Sequence, residues 1–141
     1  MNSANCPFCD ITDESERILK EGKYTFVIFS KPRLMPGHLL IIPKRHVEKL
    51  SELSEEERKE LINLVIKFQD KIMAKVSSGC DIRQNCRPFQ KQGRLKVDHL
   101  HIHLQPRELY DDLYKKCQIL ETDLFKKLTK EEFDKISKLL K

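Results

Sequence analysis

The chain has 141 residues, 39% hydrophobic and 35% charged, with a formal net charge of +5. That length suits one compact domain, and the composition is that of an ordinary soluble protein with a heavily charged surface and room for an anionic ligand. No apolar run approaches the ~20 residues that span a bilayer, and Met1–Cys6 has neither the basic nor the apolar part of a signal peptide, so a cytoplasmic protein is expected, with no membrane partner and no nucleic-acid polymer.

In chain order, residues 1–22 read as an irregular arm with a helical turn around Asp13–Lys20. Tyr24-Thr25-Phe26-Val27-Ile28-Phe29 is rich in aromatic and β-branched residues and predicts a strand. Lys31–Gly37, with two prolines and a glycine, predicts a loop, and His38–Ile42 a second, antiparallel strand stopped by Pro43. Ser54 and Glu57 form a capping box. Leu61, Leu64, Val65, Phe68, Ile72 and Val76 follow at helical offsets on one face, and Ser77-Ser78-Gly79 ends the helix. Asp81–Asn85 is a candidate strand, Arg87–Lys96 a basic connection and Val97–Leu104 a strand. Thr129 and Glu132 form a second capping box, opening a short helix with Phe133, Ile136 and Leu140 expected inward. The sum is α+β: an antiparallel, meander-like sheet, one long helix and a helical tail, in a single domain over 1–141 with an arm at 1–22 and an extension at 108–141.

The five cysteines, Cys6, Cys9, Cys80, Cys86 and Cys117, are odd in number, which argues against a disulfide framework. Cys6 and Cys9 have zinc-ligand spacing; the plain alternative is two small loop residues. Cys80, Cys86 and Cys117 lack such a pattern and are expected to be packing residues.

Val97-Asp98-His99-Leu100-His101-Ile102-His103-Leu104 alternates strictly, so a strand would place the three histidines on one face and the apolar residues on the other. Two plain alternatives are a histidine-rich surface strand and one metal site made of all three rings. Rings at the two ends would stand ~13 Å apart along a strand, too far to converge easily on one ion, so different jobs for the rings are expected. Neutral imidazole is a good nucleophile near physiological pH. It can form a covalent intermediate with phosphorus if its second nitrogen holds a proton and donates it to an acceptor.

His99-Leu100-His101-Ile102-His103-Leu104-Gln105-Pro106-Arg107 resembles the signature of the histidine-triad (HIT) family, with Gln105 replacing an apolar residue. Pro36-Gly37-His38-Leu39-Leu40-Ile41-Ile42-Pro43-Lys44-Arg45-His46 resembles its second hallmark. Cys6-Pro7-Phe8-Cys9 resembles the arm of bacterial and archaeal members. The resemblance spans residues 5–107 and implies a five-stranded antiparallel sheet. It implies His101 as nucleophile on the α-phosphorus of a nucleotide, within a catalytic triad of His99, His101 and His103, and His103 as a phosphate ligand. It also implies a structural zinc site made of Cys6, Cys9, His46 and His99, and a two-fold dimer whose sheets join edge to edge.

The chain departs from the family pattern at Arg94-Leu95-Lys96, where most members carry Gly-Gln-Ser/Thr. Leu95 has no polar group to offer a leaving group, whereas Lys96 and Arg94 are candidates to neutralise phosphate; the plain alternative is a solvated basic loop. Ser30 stands at the position of a ribose-binding Asp or Asn. Gln84 or Asn85 is the candidate for the family's active-site amide. The implied activity is hydrolysis of a nucleoside phosphoramidate or dinucleoside polyphosphate. Two further readings stay open: a zinc-stabilised nucleotide-binding or interaction module with little turnover, and a nucleotidyltransferase.

Overall fold

The computed structural model describes residues 5–93 and 95–141. Residues up to Glu108 form one compact unit and Leu109–Lys141 a second. The first holds β1 (Ile18–Glu21), β2 (Thr25–Phe29), β3 (Leu39–Pro43), α1 (Glu55–Lys75), β4 (Gly79–Arg83) and β5 (Ile102–Arg107). The strands make one five-stranded sheet in the order β1-β2-β3-β5-β4, antiparallel at every pairing. The α+β architecture is therefore as expected.

Both faces of the sheet are covered. On one face, Leu61, Leu64, Val65, Phe68 and Ile72 of α1 pack on Val27, Leu39, Ile41, Ile102 and Leu104. On the other, Cys6 and Phe8 of the arm pack on Phe26, Ile28, Leu40 and Ile42. That double cover explains why β2 and β3 are apolar at nearly every position instead of alternating. Emptying one such site, as in Ile41→Ala, costs about 2–5 kcal/mol.

Helix α1 starts as its capping box demands. Ser54 Oγ accepts from the Glu57 amide at 3.2 Å, and Glu57 Oε1 accepts from the Ser54 amide at 3.1 Å. Glu57 is buried and stays ionised because Arg45 lies 2.8 Å away, which holds its carboxyl below the usual range. Val76, expected on the inner face, is 55% exposed, because α1 ends at Lys75.

Three elements differ from expectation. The arm carries a 3-10 turn at Thr12–Arg17 and then a strand, β1, where only a helical turn was expected. This edge strand pairs with β2 through an irregular register between Ile18 and Lys20, and its polar Ile-Leu-Lys-Glu sequence hides the period-two signal. The strand expected at Val97–Leu104 begins only at Ile102 and runs to Arg107. Upstream, the Leu100 amide bonds to the Val47 carbonyl at 2.6 Å, away from the sheet ladder. Finally, β4 lies two residues earlier than expected.

The register aligns the site. In the rows across β3, β5 and β4, His103 stands opposite Leu40 on one side and Arg83 on the other. Gly37, before β3, has φ +82°, and a Cβ there would stand 3.1 Å from Val76 Cγ1 and 3.2 Å from Pro106 Cγ. Glycine alone suits that left-handed, crowded turn, which delivers His38 to the sheet.

In the second unit a helix at Lys130–Leu140 opens with the expected Thr129–Glu132 capping box. Its Phe133, Ile136 and Leu140 are 56%, 47% and 81% exposed, not inward. A unit this short has too little chain to enclose a core of its own. Cys80 is partly buried against the main core, but Cys86 and Cys117 are exposed and so are not packing residues.

Candidate functional site

A tight turn, with the Cys9 and Asp10 amides both on the Cys6 carbonyl, puts the two arm thiols on one side. His46, just past β3, and His99, just before β5, meet them. The four ligand atoms of Cys6, Cys9, His46 and His99 all lie within 4.8 Å of one another. Cys6 Sγ is 3.3 Å and Cys9 Sγ 3.6 Å from His99 Nδ1, and Cys9 Sγ is 3.2 Å from His46 Nδ1. Tetrahedral zinc with normal Zn–S and Zn–N bonds has ligand–ligand edges of about 3.3–3.8 Å, so the donor set fits that ion in both chemistry and spacing. The His99 ring is buried and its Nε2–H donates to the Pro43 carbonyl at 2.8 Å, which leaves Nδ1 as the ligand atom. Burial pushes its pKa down to about 4.

Two residues on, His101 is arranged differently. Its Nδ1 lies 2.7 Å from the His99 carbonyl. A carbonyl only accepts, so Nδ1 carries the proton and Nε2 keeps its lone pair. Phe8 meets the His101 ring edge-on at 5.2 Å between centroids and the His99 ring at 5.8 Å, standing against both. Burial lowers the His101 pKa and favours the neutral ring.

The tautomer of His103 is set from a distance. The Leu34 amide donates to His38 Nδ1 at 3.1 Å, so the other nitrogen of His38 holds its proton. That Nε2–H donates to His103 Nδ1 at 2.9 Å. His103 is left with an Nε2–H to donate, next to the accepting Nε2 of His101, the ring centroids being 4.9 Å apart. Burial pushes His38 down to about 4 and His103 to about 3, so both rings are neutral at pH 7.

His101 and His103 line a cavity of about 640 Å³, large enough for more than a single phosphate group. Ser30, Asn85 and Lys96 line it as well; Arg94 lies outside the described residues. Ser30 Oγ donates to the Pro32 carbonyl at 2.8 Å, and Asn85 Oδ1 accepts from Arg83 Nε at 3.1 Å. Lys96 already has partners, an ion pair with Asp98 and a 2.7 Å bond to the Gln90 carbonyl. Leu95 is 81% exposed at the rim. Of the three triad rings, His99 is turned to the thiols and does not line the cavity. Sequence reasoning missed His38 as a site residue, along with Phe8 and Arg83. For His38 the available signals were its place in the Pro36-Gly37-His38 motif and its position opening an otherwise apolar strand.

The HIT domain family model matches residues 12–109. An AP-4-A phosphorylase of Mycobacterium tuberculosis (strain CDC 1551 / Oshkosh) is 28% identical over 104 residues, covering 72% of this chain and 53% of the relative; the chain thus spans about half that protein's length. An adenosine 5'-monophosphoramidase, hnt1, of Schizosaccharomyces pombe is 30% identical over 108 residues, covering 73% and 74% of the two chains. Among solved structures, a HIT-family member from Bacillus subtilis superposes with a TM-score of 0.71 at 25% identity, covering 97% of this chain and 95% of that one. A Zn-bound histidine triad family protein from Mycobacterium smegmatis has the same fold, with a TM-score of 0.63 at 24% identity, covering 77% and 79%. With these matches and a triad of rings divided between a thiol cluster and a cavity, the chain belongs to the HIT domain family.

Proposed function

We propose that the protein is a nucleotide hydrolase in which His101 attacks the α-phosphorus of a nucleoside phosphoramidate or dinucleoside polyphosphate. The observation that carries this reading is the His101–His99 hydrogen bond, which holds a neutral ring with its Nε2 lone pair unprotonated beside an open cavity. Nε2 forms the N–P bond as the bond to the leaving group breaks; that group departs with the electron pair, a phosphate chain as its anion and an amine with a proton taken up from solvent. The Nε2–H of His103 donates to a phosphate oxygen as charge gathers there. Water then attacks phosphorus, the N–P bond returns its electron pair to Nε2, and a proton passes to solvent. Cys6, Cys9, His46 and His99 would hold a structural zinc ion, and that ion would brace the segment entering β5.

The test is rapid quenching with a labelled dinucleoside tetraphosphate. An acid-labile nucleotidyl adduct is expected in the wild type and none in His101→Asn. A wild type that binds nucleotide, yields no adduct and shows no turnover is a binding module instead. Product analysis with added sugar phosphate separates hydrolysis from transfer.

The same reading includes a two-fold dimer. Ile62, Ile66 and Met73, on the outer face of α1, are about half exposed, and β4 is an edge strand with Ile82 half exposed. A sedimentation mass equal to one chain would refute it. Among the described residues no helix is long and apolar enough to cross a membrane, and we place the protein's work in the cytoplasm.

A further inference from the structure

We propose that Phe8 is a positioning residue for His101, packing against its imidazole and keeping the Nε2 lone pair turned to the cavity. This rests on the hydrolase reading and deepens it by naming what holds the proposed nucleophile beyond its one hydrogen bond.

The backbone of His101 stands outside the sheet. The β3–β5 ladder ends at the Ile41–Ile102 pair and the β4–β5 ladder at Arg83–His103, so His101 has no ladder partner among the described residues. His103, by contrast, is paired on both sides, with Leu40 and with Arg83. The His101 ring therefore depends on what its side chain touches. Its χ2 torsion is soft and roughly two-fold. Half a turn exchanges Nδ1 with Cδ2 and Nε2 with Cε1, which puts a carbon where the attacking nitrogen was. The 2.7 Å bond from Nδ1–H to the His99 carbonyl opposes that turn. One neutral hydrogen bond, however, favours an orientation only about fivefold, and an attacking atom needs a tighter hold.

Two rings meet the His101 imidazole edge-on, His103 at 4.9 Å between centroids and Phe8 at 5.2 Å with the planes at 73°. His103 is committed to His38 and has a proposed task at the phosphate. Phe8 has no polar group and can only pack. It is buried with Phe26, Ile28, Leu40 and Ile42 on the interior strands β2 and β3. It thus ties the His101 ring to the sheet through side chains, which the backbone of His101 does not do. The same phenyl stands edge-on to His99 at 5.8 Å and lies between Cys6 and Cys9 in sequence. The turn that gathers the thiols therefore also sets Phe8 against the ring that is to react.

Phe8 lines the cavity as well, so the experiment has to separate positioning from substrate contact and from plain packing. Adduct formation in a single turnover is measured against diadenosine tetraphosphate concentration for wild type, Phe8→Leu and Phe26→Leu. Phe26 sits in the same buried cluster but meets no histidine ring among the described residues. Phe8→Leu should lower the saturated rate at least ~10-fold while half-saturation moves less than ~3-fold, and Phe26→Leu should change the saturated rate less than ~3-fold. A Phe8→Leu effect confined to half-saturation, or equal losses of rate in the two variants, overturns the proposal. Nitrogen-edited proton NMR gives a second readout that needs no turnover. The Nδ1–H signal of His101, assigned by its loss in His101→Asn, should be sharp in wild type and Phe26→Leu and broadened by exchange in Phe8→Leu. An unchanged signal in Phe8→Leu overturns the proposal. If the wild type forms no adduct, the hydrolase reading fails while the spectra still decide whether Phe8 holds the ring. Should Phe8→Leu not fold, Phe8→Met, whose flexible chain fills irregular space without a rigid ring edge, takes its place with the same expected losses.

Discussion

His99 and His101 are the same residue type two positions apart, yet they end in opposite circumstances. His99 is 1% exposed, with one ring nitrogen committed to the Pro43 carbonyl and the other facing two thiols. His101 has one nitrogen committed to the His99 carbonyl and the other with no protein partner among the described residues, at a cavity. The neighbours assign the tasks. A ring whose two nitrogens both have partners can only brace; a ring with one nitrogen held and one free can react. In the mechanism proposed above, the braced residue supplies the carbonyl that holds the ring assigned to react.

The sharpest way to break this contrast is to exchange the roles. His101→Asn should lower kcat by at least ~10³-fold with little change in unfolding free energy, measured by steady-state kinetics and urea denaturation. Cys9→Ser, or treatment with a zinc chelator, should do the reverse first, lowering the unfolding free energy by ~3 kcal/mol or more, with activity falling as the strand loosens. Chelator-insensitive stability in the wild type would refute the bracing role.

A third prediction concerns acid. His38 is buried neutral, faced by His103 from β5 and by His101, and its folded pKa of about 4 lies below the ordinary 6.5. The unfolded chain therefore binds the proton more readily between those values. Stability contributed by this neutral ring is fully present above pH 6.5 and is lost as pH falls toward 4, by about 3 kcal/mol at most for this group. Urea denaturation from pH 7 to 4 should show a steeper decline for the wild type than for His38→Gln; parallel curves would remove His38 from the account. The smallest effect is expected at Gly37→Ala. The left-handed backbone and the crowded Cβ there should cost about 1–2 kcal/mol, with the loss appearing as a lower Tm.

Legibility followed the range of the interactions involved. Helix α1 was readable because a capping box and a 3.6-residue period are local, and the structure reproduces both. The alternation of the triad correctly divided the histidines from Leu100, Ile102 and Leu104, which all join the core under α1. It misplaced the strand itself, because whether Leu100 bonds to the sheet or to Val47 is decided by tertiary contacts. Strand β1 escaped because an edge strand with three exposed positions of four carries no burial pattern. The ligand set of Cys6, Cys9, His46 and His99 came through family resemblance, and the fold brings all four together. His38 belongs to a readable motif, but its partnership is not local, since its ring meets one lying 65 positions away. Ser30, Asn85, Lys96, His101 and His103 come to the cavity from separate segments, so only the folded chain collects them.

Cys6 and His99 touch although 93 positions separate them. An ion shared by these two residues would act as a clasp across nearly the whole first unit, closing a very long loop. A ribosome releasing this polypeptide offers the first two thiols early, but the last ligand follows only when almost every strand has been made. Metal capture would therefore mark the completion of the domain, and a chain interrupted before β5 would leave its thiols exposed to oxidation or to the wrong metal.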